Sequence, residues 1–321
     1  MAKGEQTNTD DLLDKTDIVQ DNLALRSSPA GLRPYLKLAR IDRPIGTWLL
    51  LFPCWWSMAL ALKATTSFAL TSWQDWLPAV YFAVGALVMR SAGCSFNDIV
   101  DRDIDAKVAR TALRPIPAGQ ITVKQAIIFL ALLLLLGLVI LLQFNALTIE
   151  LGVGALALVA IYPFMKRITY WPQAWLGLTF NWGALIGWTS VTGQLSWPPL
   201  LLYAGGIAWT LGYDTIYAHQ DKEDDALIGV KSTALKLAAA TKPWLVLFYT
   251  AALLLMAAAG WVIGLNWIFA LAIGAMAVQV AWQISTLDVD NPDDCQVKFK
   301  SNRYLGWILL IGILAAGFRP I

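Results

Sequence analysis

Apolar residues fall in long, nearly unbroken runs rather than in short amphipathic stretches. Nine runs stand out, at 44–62, 78–96, 124–142, 146–163, 174–192, 199–216, 243–264, 267–285 and 304–318. Most match the roughly 20 residues a helix needs to cross a bilayer core. The stretch 124–163 is almost continuous, but Gln143, Asn145 and Glu150 mark a turn that splits it in two. Ten-residue segments of alternating polarity, the mark of a transmembrane barrel, do not occur. The pattern predicts an all-α integral membrane protein with about nine transmembrane helices. Its polar positions gather in two long loops, 97–123 and 217–242.

Composition agrees. Of the 321 residues, 58% are hydrophobic and 14% charged, against about 25% charged in a soluble domain. Mean hydropathy is +0.58. A disordered chain, a disulfide scaffold and a soluble enzyme are excluded, and a net charge of +2 gives no reason to expect nucleic acid. Cys54, Cys94 and Cys295 lie far apart and read as free thiols.

Lys and Arg set the orientation. With the N-terminus cytosolic, Arg33, Lys37, Arg40 and Arg43 precede the first span, and the even-to-odd loops carry the remaining clusters through to Arg303. Only Lys63 and Arg319 fall on the outer face. This bias predicts N-in, C-out. The first 30 residues hold six Asp or Glu against three Lys or Arg, unlike a presequence or a signal peptide. They predict a disordered cytosolic tail over 1–32, a transmembrane domain over 33–321, and a bacterial inner membrane, with the lipid bilayer as partner and no protein partner evident.

Both long loops face the cytosol and both are acidic. In the first, Asn97, Asp101 and Asp105 recur at four-residue spacing and share one face if the second span continues as a helix. That span runs inward, so the carboxylates sit at its C-terminal end, where the helix dipole disfavours them. Mutual repulsion adds to the cost, and a cation would compensate for both. Hard oxygen ligands point to Mg2+, which keeps waters and is shared with substrate phosphates. Asp98 and Asp103 read as off the stripe, Asp98 being a candidate support for a ligand. In the second loop, Asp214, Tyr217, Asp221 and Asp225 follow one helical stripe at the inner end of the sixth span. Two acidic clusters suggest two metals with a diphosphate between them.

Cations accompany the acids. Arg90 lies inside the second span, where a charge normally faces a cavity or a partner. Lys107, Arg110 and Arg114 lie in a segment shaped by Pro115, Pro117 and Gly119, and suit a diphosphate or simply the inner face. Lys166 and Arg167 are equally open. His219 reads as a loop residue. Aromatic rings facing a cavity would shield a carbocation.

At these motifs the chain resembles the UbiA superfamily of intramembrane prenyltransferases. Asn97, Asp98, Asp101 and Asp105 match its N-D-x-x-D-x-x-x-D pattern, and Asp221 and Asp225 match D-x-x-x-D. Further segments resemble the ubiquinone-type branch that prenylates 4-hydroxybenzoate: Asp42–Gly46, Met89–Cys94, Arg114–Gly119, Tyr162–Arg167, Tyr213–Ala218 and Ile228–Thr233. The likeness covers about 33–320. It implies nine helices around a central cavity with a lateral opening to lipid, and two Mg2+ ions bridging a polyprenyl diphosphate to the Asp motifs. It implies that Asn97, Asp101 and Asp105 hold one ion and Asp221 and Asp225 the other. Lys107, Arg110 and Arg114 would bind the diphosphate. Arg43, Arg90 or Arg167 would anchor the acceptor carboxylate, and Asp214 and Tyr217 complete the set. A different prenyl acceptor is the nearest rival. A transporter is the rival from another class, though its site belongs near the bilayer midplane.

Overall fold

Helices carry most of the described residues, and there is no strand among them. The computed structural model describes residues 16, 18, 22–65, 76–108 and 110–317. Most of the expected tail and residue 318 of the last run lie outside them. The helices are α1 (Leu23–Arg26), α2 (Arg33–Leu38), α3 (Ile45–Ala64), α4 (Leu77–Asp105), α5 (Val123–Leu141), α6 (Ala146–Ile168), α7 (Pro172–Asn181), α8 (Gly183–Thr192), α9 (Trp197–Ala218), α10 (Lys222–Ile228), α11 (Thr233–Leu237), α12 (Thr241–Ile263), α13 (Trp267–Thr286) and α14 (Pro292–Gly317). Single 3-10 turns, His219–Asp221 and Ala238–Ala240, precede α10 and α12.

Each predicted run lies on helix. Among the described residues, six segments are long and apolar enough to cross a membrane: α3, α4, α5, α6, Thr233–Ile263 and α13. The fifth run is not one helix: it breaks at Trp182 into α7 and α8, of ten residues each. The turn near 143–150 is shorter than expected. Asn145 is the N-cap of α6, accepting from the Thr148 amide, and Glu150 is helical. One short helix, α1, lies before residue 33. Asn22 caps α1 and donates to the Asp42 carbonyl at 3.2 Å, and Leu25 is buried.

The chain forms two units, Met1–Gly46 with Leu87–Val139, and Thr47–Ala86 with Ile140–Ile321. In the first, Leu38, Ile116, Ile121 and Ala126 form a small core under Tyr35 and Phe129. The segment after α2 is pinned to α4, since Ser91 Oγ donates to the Ala39 carbonyl at 3.2 Å. Arg40 ends α2 in the left-handed conformation, at φ 57°, where glycine is usual. For a residue with a Cβ this costs about 1–2 kcal/mol.

In the second unit, α9 packs against α7, α8, α12 and α14. Gly206 lets it close on Asn181, where a Cβ would collide with the amide side chain. Close approach through small residues is the usual basis of helix association in lipid. Buried polar side chains then tie the helices together. Trp209 Nε1 donates to Asn302 Oδ1 at 2.9 Å, and the Tyr249 hydroxyl donates to Gln283 Oε1 at 3.0 Å. Satisfied pairs of this kind are the form in which polar groups are tolerated in an apolar interior.

Candidate active site

The first acidic motif lies on α4, which stays helical through Asp105 as the spacing required. Asp101 and Asp105 are buried, Asn97 is half-buried, and Asp103 is exposed. Asp98 is also buried, so its assignment as off the stripe needs correcting. Seven residues make nearly two turns of helix, leaving only about 20° between Asp98 and Asp105, whereas Asn97 is about 80° away. An i, i+4 series drifts around the helix, and Asp98 rather than Asn97 falls in the buried sector.

Asp98 and Asp105 both meet arginines. Arg40 Nη2 reaches Asp98 Oδ1 at 2.7 Å and Oδ2 at 3.0 Å. Arg114 Nη1 reaches Asp98 Oδ1 at 3.3 Å and Asp105 Oδ2 at 2.9 Å. The Pro- and Gly-rich segment that delivers Arg114 is a series of turns, as expected, with Gly119 at φ 69°. Thr111 Oγ1 donates to the Asp105 carbonyl at 2.8 Å and so caps the end of α4. Arg114 thus supplies the cation that the C-terminal end of a helix favours.

Arg90 packs its guanidinium on Gly46, leaving no room there for a Cβ. Arg43 Nε lies 3.1 Å from Asp42 Oδ2, and Asp42 is buried. Lys107 is exposed in the turn after α4, and Arg110 is half-buried.

The second motif is built differently. Asp214 and Tyr217 lie on α9, but the helix stops at Ala218, Asp221 closes the 3-10 turn and Asp225 belongs to α10. The single continuous stripe expected for these four residues is therefore interrupted. The physical reason is the dipole. A continuous helix would hold every acid at its C-terminal end, whereas the break puts Glu223, Asp224 and Asp225 in the first turn of a new helix, where negative charge is favoured. Gly229, at φ 76°, ends α10.

Segments distant in sequence converge around this loop. The Lys231 amide donates to the Lys166 carbonyl at 2.8 Å, joining Tyr162–Arg167 to Ile228–Thr233. Thr215 and Thr233 share a 2.7 Å hydrogen bond, and the Thr233 amide donates to Gln173 Oε1 at 3.1 Å. Arg167 is exposed, its guanidinium 5.7 Å from the centre of the Phe164 ring. His219 lies in the 3-10 turn between the two helices and is buried. It pairs with Thr241 Oγ1 at 3.1 Å, and burial together with Lys222 pushes its pKa down to about 4. A row of rings runs from the motif into the helices. Tyr217 stands 4.5 Å from Phe299, which is 5.8 Å from Tyr213, and Tyr213 is 5.0 Å from Trp209.

Both motifs offer hard oxygen donors. Among the described residues, no group of three or more His, Cys, Asp or Glu side chains forms a ready metal cage. Such sparse sets suit Mg2+, which is commonly held by one or two carboxylates with waters and substrate phosphates completing its shell. They do not suit a structural zinc, which needs four protein ligands.

Comparison with known proteins identifies the family. The UbiA prenyltransferase family matches residues 50–313. The chain is 51% identical over 295 residues to the mitochondrial 4-hydroxybenzoate polyprenyltransferase of Caenorhabditis elegans, covering 90% of this chain and 80% of the relative. To the human mitochondrial protein of the same name it is 50% identical over 289 residues, covering 90% and 76%. Among solved structures, a UbiA homologue from Aeropyrum pernix superposes with a TM-score of 0.68 at 23% identity, covering 83% of this chain and 97% of that one. Another, from Archaeoglobus fulgidus and bound to GPP and Mg2+, gives 0.65 at 17% identity, covering 88% and 99%. The chain belongs to the UbiA prenyltransferase family.

Proposed function

We infer that this protein is a membrane-embedded 4-hydroxybenzoate polyprenyltransferase of ubiquinone biosynthesis. It transfers a polyprenyl group from its diphosphate to the ring carbon ortho to the phenol hydroxyl and releases diphosphate. The observation that carries the reading is identity of about half over nine-tenths of the chain to relatives bearing that name. The paired acidic motifs supply the chemistry.

Asn97, Asp101 and Asp105 would hold one Mg2+, and Asp221 and Asp225 would hold the second. When bound, such ions would supply positive charge to the departing diphosphate. Lys107 and Arg110 add positive charge on the same leaving group. The allylic C–O bond breaks, and the electron-rich ring attacks the allylic cation. The ring proton then leaves, and Asp214 is the carboxylate proposed to take it. Arg43, Arg90 or Arg167 holds the acceptor carboxylate, which fixes the ring carbon that reacts, and Tyr217 turns a ring face toward the cation. The relatives' names speak for a mitochondrial membrane and lend no support to a bacterial one in particular. We place the chain in a bacterial or mitochondrial inner membrane, with nine spans around the cavity, N-in and C-out.

The test is a membrane assay with labelled 4-hydroxybenzoate, a polyprenyl diphosphate and Mg2+, with and without EDTA. Lipid-soluble label that EDTA abolishes is the expected result. Asp101→Asn and Asp221→Asn should each remove turnover while the protein still accumulates in membranes. Near-normal activity in Asp101→Asn would overturn the metal assignment. Label entering other aromatic acids but not 4-hydroxybenzoate would overturn the acceptor.

A further inference from the structure

One group at the first acidic motif has no part in that scheme. Asp98 is fully buried, and it is the acceptor on which two arginines from different segments meet. Both of its oxygens take Arg40 Nη2, and Oδ1 also takes Arg114 Nη1. The same Arg114 nitrogen holds Asp105 Oδ2. Arg40, Asp98, Arg114 and Asp105 are thus linked in a buried chain of ion pairs. Its last member is a residue assigned to Mg2+, and Arg114 contacts carboxylates where a role on diphosphate was expected.

The backbone points the same way. Arg40 occupies a left-handed position directly after α2. A residue with a Cβ is strained there, and strain of this kind persists where the surroundings over-determine it, often beside functional groups. Glycine would satisfy the backbone and lose only the guanidinium. If the arginine served merely to end α2, glycine would serve better.

We propose that Asp98, clamped by Arg40, is the positioning residue of the first acidic motif: it fixes Arg114, and through Arg114 it aims the Asp105 carboxylate at the metal. This rests on the reading of Asp101 and Asp105 as Mg2+ ligands. Asp98 touches neither metal nor substrate in this scheme. Groups that orient a ligand from behind change metal affinity by about 10–100-fold when removed.

The test uses the full-length protein with both members of the clamp replaced, Arg40→Gly with Asp98→Asn. The pair leaves the charge balanced and relieves the backbone, so the protein should accumulate and melt as the wild type does. Two readouts are compared with the wild type. One is the Mg2+ concentration giving half-maximal prenyl transfer. The other is the Mg2+ concentration needed for a polyprenyl thiodiphosphate to raise the melting temperature, which needs no turnover. Both should rise together by about tenfold or more, while KM for 4-hydroxybenzoate stays unchanged. Arg40→Lys keeps the charge but loses the two-oxygen grip, and should shift both readouts in the same direction. It carries the test if the double variant fails to accumulate. An unchanged Mg2+ midpoint in the variant that folds overturns the proposal. Asp101→Asn, run alongside, separates this from failure of the underlying reading: activity there removes the metal site itself, whatever Asp98 does.

Discussion

A single methyl group separates tolerated from disruptive change at several positions. Gly187 on α8 faces the main chain of α3, and a Cβ there would run into the carbonyl of Cys54. Backbone does not yield as a flexible side chain does. Gly187→Ala should therefore cost about 1–3 kcal/mol, read as a lower midpoint in detergent unfolding. Gly274, in the middle of α13, has no atom within 4 Å of the same added carbon. Gly274→Ala should instead leave the protein unharmed or stabilise it by about 0.5–1 kcal/mol through reduced backbone entropy. Equal losses at both sites would mean that helix packing does not set the difference. Residue-level chemistry was only partly legible beforehand. Asp101 and Asp105 announce themselves by spacing, but Arg40 carries no signal in Arg40-Ile41-Asp42-Arg43. Its role comes from a backbone conformation and from a partner 58 positions away.

Elements end where charge and dipole require it, and this is where sequence reading is weakest. The helix holding the first motif was legible because apolar residues and regular acids continue without a breaker to Asp105. The break at Ala218 was not, because no Pro or Gly stands near it and the i, i+3, i+7 spacing fits an unbroken helix. The dipole favours a break somewhere before the acids, and tertiary contacts fix its place: His219 is drawn into a buried contact with Thr241, and Lys222 reaches Asp290 at 3.1 Å. The buried imidazole has a testable consequence. Its pKa is lowered from 6.5 to about 4, so between those values the unfolded chain binds a proton that the folded chain refuses. Stability then rises with pH across that window. The melting temperature of the purified protein should fall as pH drops from about 6.5 toward 4, and His219→Gln should flatten that slope. An unchanged slope would mean that other groups carry it.

Over the whole molecule, the distribution of Lys and Arg argues for one orientation, and labelling at loops can decide it. Lys107, after α4, and Leu227, on α10, are exposed in segments that the charge bias assigns to the inner face. Leu195, between α8 and α9, is exposed in a segment assigned to the outer face. The native thiols give little background, since Cys54, Cys94 and Cys295 are all buried. Burial also pushes the Cys295 thiol up to about 11, so it holds almost no thiolate at neutral pH, and the thiolate is the reactive form. Single cysteines at 107, 227 and 195 can therefore be read against the native chain. In sealed vesicles of known orientation, an impermeant maleimide should modify positions 107 and 227 from one side and position 195 from the other. The same side must then be the one from which added polyprenyl diphosphate and Mg2+ support turnover, because both acidic motifs belong to segments with that assignment. Labelling of all three positions from one side would mean that α9, the helix that carries Asp214 and Tyr217, does not cross the bilayer as a single span. Labelling as expected, with turnover supported only from the side of position 195, would keep the orientation and remove the acidic motifs from the chemistry.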